Sequence, residues 1–244
     1  MPTELSDPSN LRILRAEARE LLNEFDAADG LACYYALHHD DKRTTLVVHS
    51  DRAGLIDGFL TTCMTGFDLF RPLVTIRARG GNDPVPELVQ ATLKAGRPYL
   101  LIVPDGLFER VEPLVKVTDP VRMQIMRLDP ARFHPDLNVM VVTRFETDGS
   151  PRAEVRHGDT VAAVAGINWY SPIFAEIFVQ VVPEYRKRGW GRSVVRALCA
   201  ELLKQRVTPL YNVAEDNDDS FTLADDVGFV DTGAREIMTS ITGR

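Results

Sequence analysis

The stretch from Ala175 to Arg192, AEIFVQVVPEYRKRGWGR, limits most what this chain can fold into. An apolar run of β type ends at Pro183 and passes within a few residues into a basic, glycine-punctuated turn that opens an amphipathic helix. A helix start leaves its first backbone N–H groups without internal partners and carries a partial positive charge, so the layout predicts an anion cradle. Gly189 and Gly191 let the main chain come close to a ligand, and Arg186, Lys187, Arg188 and Arg192 can add charge-assisted bonds. The bland alternative is a solvated basic helix start with glycine caps.

The 244 residues carry a net charge of −7, so general attraction to nucleic acid is not expected and the basic turn is a local exception. Composition is that of a globular chain with 45% hydrophobic and 26% charged residues, enough for one large core or two modest ones. Cys33, Cys63 and Cys199 are odd in number and set in apolar surroundings, which argues against disulfides or a zinc site and for a reducing cytoplasm. No run approaches the ~18 apolar residues of a membrane span, and neither signal peptide nor anchor is expected.

Along the chain, Leu11, Leu14, Ala18, Leu21, Leu22 and Phe25 recur at helical spacing after Ser6 and Asp7. Strand-like runs are expected at Thr44 to His49 and Leu73 to Ile76, with Asp57 to Phe67 between them, and strands at Tyr99 to Val103 and Arg122 to Leu128, with helices at about Pro86 to Lys94 and Gly106 to Val115. Such alternation predicts an α/β layer. Leu128 to Asn138, with two prolines, reads as a linker. Beyond it, Val139 to Arg144, Arg152 to His157, Thr160 to Asn168 and Ala175 to Val182 read as an antiparallel meander. A helix from Gly191 to about Gln205 puts Val194, Val195, Leu198, Leu202 and Leu203 on one stripe. A strand Leu210 to Val213, a short helix to Asp226 and two terminal strands, Phe229 to Asp231 and Glu236 to Ile241, complete the order.

At these residues the chain resembles the GNAT superfamily of acyl-coenzyme A transferases, in its glycine N-acyltransferase-like branch. The family's strand ending V-x-P followed by [Q/R]-x-x-G-x-[G/A] is matched by Val181-Val182-Pro183 and Arg186 to Gly191, and its N-x(10)-G-F by Asn217 and Gly228-Phe229. The resemblance covers roughly Asn138 to Arg244. It implies a mixed-sheet α/β chain with an N-terminal, degenerate GNAT-like half over 1–130 and a GNAT acyltransferase domain over 131–244.

It further implies that the amides from about Arg188 to Arg192, with Trp190 among them, hold the diphosphate of acetyl-CoA or another acyl-CoA. The strand carrying Val179 and Val181 would splay from its neighbour and bind pantetheine like an added strand, with the Val181 N–H polarising the thioester carbonyl. Asn217 would bond the pantetheine arm or serve only as a helix N-cap. The position that often carries a tyrosine acid is Ala224, and one where relatives carry a glutamate base is Asn212. Glu176 is the remaining general-base candidate, against its reading as an ordinary strand carboxylate, with Tyr211, Tyr170 and Ser220 as proton donors.

The acidic run Glu215 to Asp219 lacks a matching ligand set, the five histidines lack ligand spacing, and no metal is expected. In the N-terminal half, Val47 to Gly80 looks like the amino-terminal domains of glycine N-acyltransferase-like proteins. It has no G-x-G turn before a helix and should bind no second coenzyme. Tyr34, Tyr35, Phe67 and Phe70 there are core packing or the lining of an acceptor pocket.

The function expected is therefore acetyl transfer to the amine of a small molecule or amino acid in the cytoplasm, by direct attack on the thioester. Neither nucleic acid nor membrane is an expected partner, and a homodimer is the assembly to consider. The alternative is a catalytically silent acyl-CoA-binding or sensing protein. A flavodoxin-like nucleotide binder would need its phosphate turn after a first strand, and here the turn comes late.

Overall fold

A computed structural model describes residues 8–66, 68–80, 83–135 and 138–244. Ser6, Asp7 and Phe67 lie outside the described residues. The elements are α1 Pro8–Arg19, α2 Gly30–Cys33, β1 Thr44–Ser50, β2 Ile56–Cys63, β3 Leu73–Ala78, α3 Val85–Thr92, β4 Pro98–Pro104, α4 Asp105–Val111, β5 Val115–Leu128, β6 Val141–Phe145, β7 Pro151–His157, β8 Thr160–Tyr170, β9 Phe174–Val181, α5 Trp190–Lys204, β10 Thr208–Ala214, α6 Asp218–Val227 and β11 Phe229–Gly243. This is a mixed α/β fold.

Two compact units form, Met1–Met123 with Arg235–Arg244, and Gln124–Ala234. The last ten residues thus go with the N-terminal unit, where a cut at 130/131 assigns them to the C-terminal one. In the N-terminal unit, β1, β2 and β3 pair antiparallel, β4 joins β3 in parallel after the α3 crossover, and β4 pairs antiparallel with β11 from Pro104↔Glu236 to Pro98↔Thr242. Its core packs Leu60, Ile76, Leu88, Leu101 and Val111.

The C-terminal unit repeats the same run of three antiparallel strands, helix, parallel strand, helix and strand, as β7-β8-β9-α5-β10-α6-β11, with β6 added at the edge of the meander. Burial of Val194, Val195, Leu198, Cys199 and Leu202 fixes which face of α5 meets the sheet, so the periodicity of this helix is read correctly. Within the stretch read as a linker, Asp129 and Arg132 hold to the unit: Asp129 N–H donates to Gly228 O at 3.1 Å, and Arg132 pairs with Asp225 at 2.8 Å.

Three expectations are corrected. The first helix stops at Arg19 and Phe25 is 75% exposed, while an unforeseen helical stretch runs from Gly30 to His38, its last turn of π type. The strand-like run that starts at Asp57 is β2, which spans Ile56–Cys63. β5 begins seven residues early because Asp119, at φ 52°, and Pro120 are absorbed within it. The two terminal strands are one, β11, kinked where the Asp231 carboxylate accepts the Gly233 N–H at 2.8 Å.

Candidate active site

β9 is held by β8 along its whole length, from Tyr170↔Ala175 to Ala163↔Val181. Its other edge differs. Pairing with β10 runs only from Phe174↔Thr208 to Glu176↔Leu210, although both strands continue for several residues. Val182 N–H donates to Ala162 O at 3.0 Å, so strand alternation turns the N–H and C=O groups of Val179 and Val181 away from β8, toward the parted edge. The splay implied by the family resemblance is present.

Next to this edge the chain turns through a 3-10 segment at Pro183–Tyr185 and enters α5. Lys187 sits at φ 59° and Gly189, the N-cap, at φ 77°, a conformation glycine adopts without strain. No side chain caps α5, and the first helical bond is Ser193 N–H to Gly189 O at 3.1 Å. Among the described residues, the amides of 187–192 find no acceptor. A Cβ on Gly191 would lie 3.1 Å from Val181 Cγ2 and 3.2 Å from Leu223 Cδ1, so any larger residue requires both side chains to give by a few tenths of an ångström where α5 starts beside β9.

A cavity of about 630 Å³ joins these features. Val179, Val181, Lys187, Gly191, Asn217 and Ser220 are among its lining residues, and its volume is that of a small-molecule site. Arg186, Gly189, Trp190 and Arg192 also face it.

The basic side chains divide their work. Lys187 has no ion-pair partner among the described residues, whereas Arg192 pairs with Asp226, itself on the cavity wall. Arg188 does not line the cavity: its guanidinium lies 5.2 Å from the Tyr185 ring and 5.3 Å from the Trp190 ring, which stack on each other at 5.5 Å. Cation–π attraction thus braces the turn where a phosphate contact was expected.

Asn217 caps α6, its Oδ1 accepting the Ser220 N–H at 3.0 Å, which leaves its Nδ2 as a donor for the cavity it lines. The N-cap reading of this residue holds. Tyr211 O–H donates to Ser220 Oγ at 3.2 Å, and burial raises the phenol above its ordinary value. Tyr170 is elsewhere: its hydroxyl bonds Gln205, past the far end of a 15-residue helix about 22 Å long.

Glu176 stands where β9 and β10 part. The register slips between Ile167 and Trp169, and this bulge turns the consecutive side chains of Asn168 and Trp169 to one carboxylate. Asn168 Nδ2 donates to Oε1 at 2.8 Å, and Trp169 Nε1 and Asn212 Nδ2 donate to Oε2 at 2.7 and 3.1 Å. Burial pushes the carboxyl above the ordinary glutamate value, against the opposing hydrogen bonds from Asn168 and Trp169. Glu176 is not among the cavity-lining residues. Sequence reasoning singled it out but missed its donors, because strand alternation alone puts residues 168 and 169 on opposite faces.

In the N-terminal unit, the corresponding helix offers no such cradle. α3 opens at Pro84 with Pro86 in its first turn, and the Asp83 carboxylate accepts the Val85 N–H at 3.0 Å. Tyr35 is core and Phe70 is 84% exposed. Among the described residues, no three His, Cys, Asp or Glu converge as metal ligands would, and no helix is long and apolar enough to cross a membrane.

The fold is that of the GNAT superfamily. Residues 155–237 match the family described as FR47-like protein. A Drosophila protein of known structure is similar over 98% of this chain and 97% of its own, at 15% identity and TM-score 0.65. A tandem GNAT protein from the clavulanic acid biosynthesis pathway has the same coverages at 14% identity and TM-score 0.63. A GCN5-related N-acetyltransferase from Sphaerobacter thermophilus is similar over 98% and 94% of the two chains, at 12% identity and TM-score 0.61. No curated protein matches the chain.

Proposed function

We propose that this chain is an acyl-CoA-dependent N-acyltransferase of the glycine N-acyltransferase-like branch, moving an acetyl group from acetyl-CoA to the amine of a small molecule or amino acid. One observation carries the reading: the edge of β9 beyond Glu176 is free of β10, and it borders the same cavity as the amides of 187–192. Pantetheine would pair with that edge as an added strand while the diphosphate rests on the amides, assisted by Lys187.

In the transfer, the acceptor nitrogen attacks the thioester carbon, the Val181 N–H steadies the oxyanion, and the C–S bond breaks as the N–C bond forms. The amine proton passes through water to Glu176 at the fork, and the departing thiolate takes a proton from Ser220, resupplied by Tyr211. Ala224 therefore need not carry an acid. Three free, buried cysteines agree with a reducing cytoplasm as the place of work, and a homodimer with no nucleic-acid or membrane partner completes the proposal.

A second reading, a silent acyl-CoA sensor, draws on the three donors that already engage Glu176 and on its absence from the cavity lining. Free-thiol release from acetyl-CoA over a panel of amines and amino acids separates the two. Turnover lowered about 100- to 10,000-fold in Glu176→Gln is expected of the enzyme. Coenzyme binding without thiol release across the panel would instead establish the sensor.

A further inference from the structure

We infer that the N-terminal unit holds a second ligand site, for a small molecule bearing two or more anionic groups. A cavity of about 610 Å³ lies where β1 begins, β2 ends and α3 finishes, and its lining includes Lys42, Arg43, Lys94 and Arg97 with the hydroxyls of Thr45 and Thr62. No Asp or Glu lines it, and none of the four cations forms an ion pair among the described residues. Arg97 is kept in place over the Tyr99 ring at 5.5 Å.

This is an unusual concentration of one sign in a chain of net charge −7. A cleft walled by like charges focuses its field and draws in counter-ions of the opposite sign. Lys94 and Arg97 also follow the C-terminus of α3, whose dipole is worth about half a negative charge. Half a charge against four leaves the cavity strongly positive. Its walls offer guanidinium, ammonium and hydroxyl donors, the set that takes up phosphate or carboxylate oxygens. The volume falls in the range of small-molecule sites. The site is built from other residues than the cavity at the start of α5, with which it shares no lining residue, and it lies at the opposite end of α3 from Asp83 and Pro84.

The four side chains are exposed, so removing them leaves the core intact and relieves mutual repulsion. Titration calorimetry of the full chain at low ionic strength, with inorganic diphosphate and separately with citrate, tests the inference. The variants are Arg43→Ala with Arg97→Ala, Lys42→Glu with Lys94→Glu, and Lys187→Glu as a control for the α5 cradle. The expected result is a binding component weakened at least tenfold in both double variants and unchanged in the control, for diphosphate if the ligand is a phosphate and for citrate if it is a carboxylate. Absence of any component that responds to the double variants, while both melt like the wild type, would overturn the inference.

Discussion

Asn212 donates its side-chain amide to Glu176 at 3.1 Å, bridging the two strands at the last position where β9 and β10 are paired. A residue type that cannot accept an amine proton thus serves the one carboxylate at the fork. Burial there raises the Glu176 carboxyl above its ordinary value. In its proposed role as a base it must be deprotonated, so kcat/KM is expected to rise with pH through that raised value. Glu176→Gln removes this limb and lowers kcat about 100- to 10,000-fold, with coenzyme affinity nearly unchanged. The pH–rate profiles of the two proteins check this.

The same shift has a consequence for folding. A carboxyl raised in the folded state stabilises most below its unfolded value, and the benefit is lost as pH rises through the folded one. Wild-type stability therefore declines relative to Glu176→Gln across that interval. Paired denaturant titrations measure the trend; a gap that widens in favour of wild type with rising pH contradicts the burial argument.

Gly189 and Gly191 separate conformation from space. Gly189→Ala meets no neighbour within 4 Å but must hold φ 77°, at a cost of about 1–2 kcal/mol. Gly191→Val drives methyl groups toward Val181 and Leu223, costing about 1–3 kcal/mol by overpacking and closing the proposed coenzyme edge. Thermal melts with CoA titrations should show both destabilised and Gly191→Val losing more affinity.

Much of this site was legible in the sequence, and the reasons are local. The V-x-P strand end, the glycine turn and the apolar stripe of α5 are short-range features, so motif and helix appear together. Contacts set by tertiary geometry were not legible: Arg188 over two rings, Arg192 against Asp226, and the bulge at Asn168 that gathers donors on Glu176. The N-terminal half shows the same divide. β1, β2 and β3 were legible as strand-like runs, whereas the π-type turn Tyr34–His38 was not, because a single π turn leaves no periodic signature.

Asn217→Ala should cost about 1 kcal/mol through loss of the α6 cap. Asn217→Ser restores the cap but not the Nδ2 donor. Melting temperature near wild type with weaker CoA binding in the serine variant is the expected pair of results.

The thiols give a test of packing. Burial pushes Cys33 to about 12 and Cys63 to about 11, and Cys199 is raised too. A thiol reagent at neutral pH should leave all three unmodified in the native protein and label all three in denaturant.

Titration calorimetry of CoA into the folded chain, paired with amide chemical shifts, addresses the proposed cradle most directly. Saturable heat at one site, with the largest shifts at residues 187–192 and at Val179 and Val181, is the predicted result. Absence of heat, or shifts confined to other parts of the molecule, would contradict it.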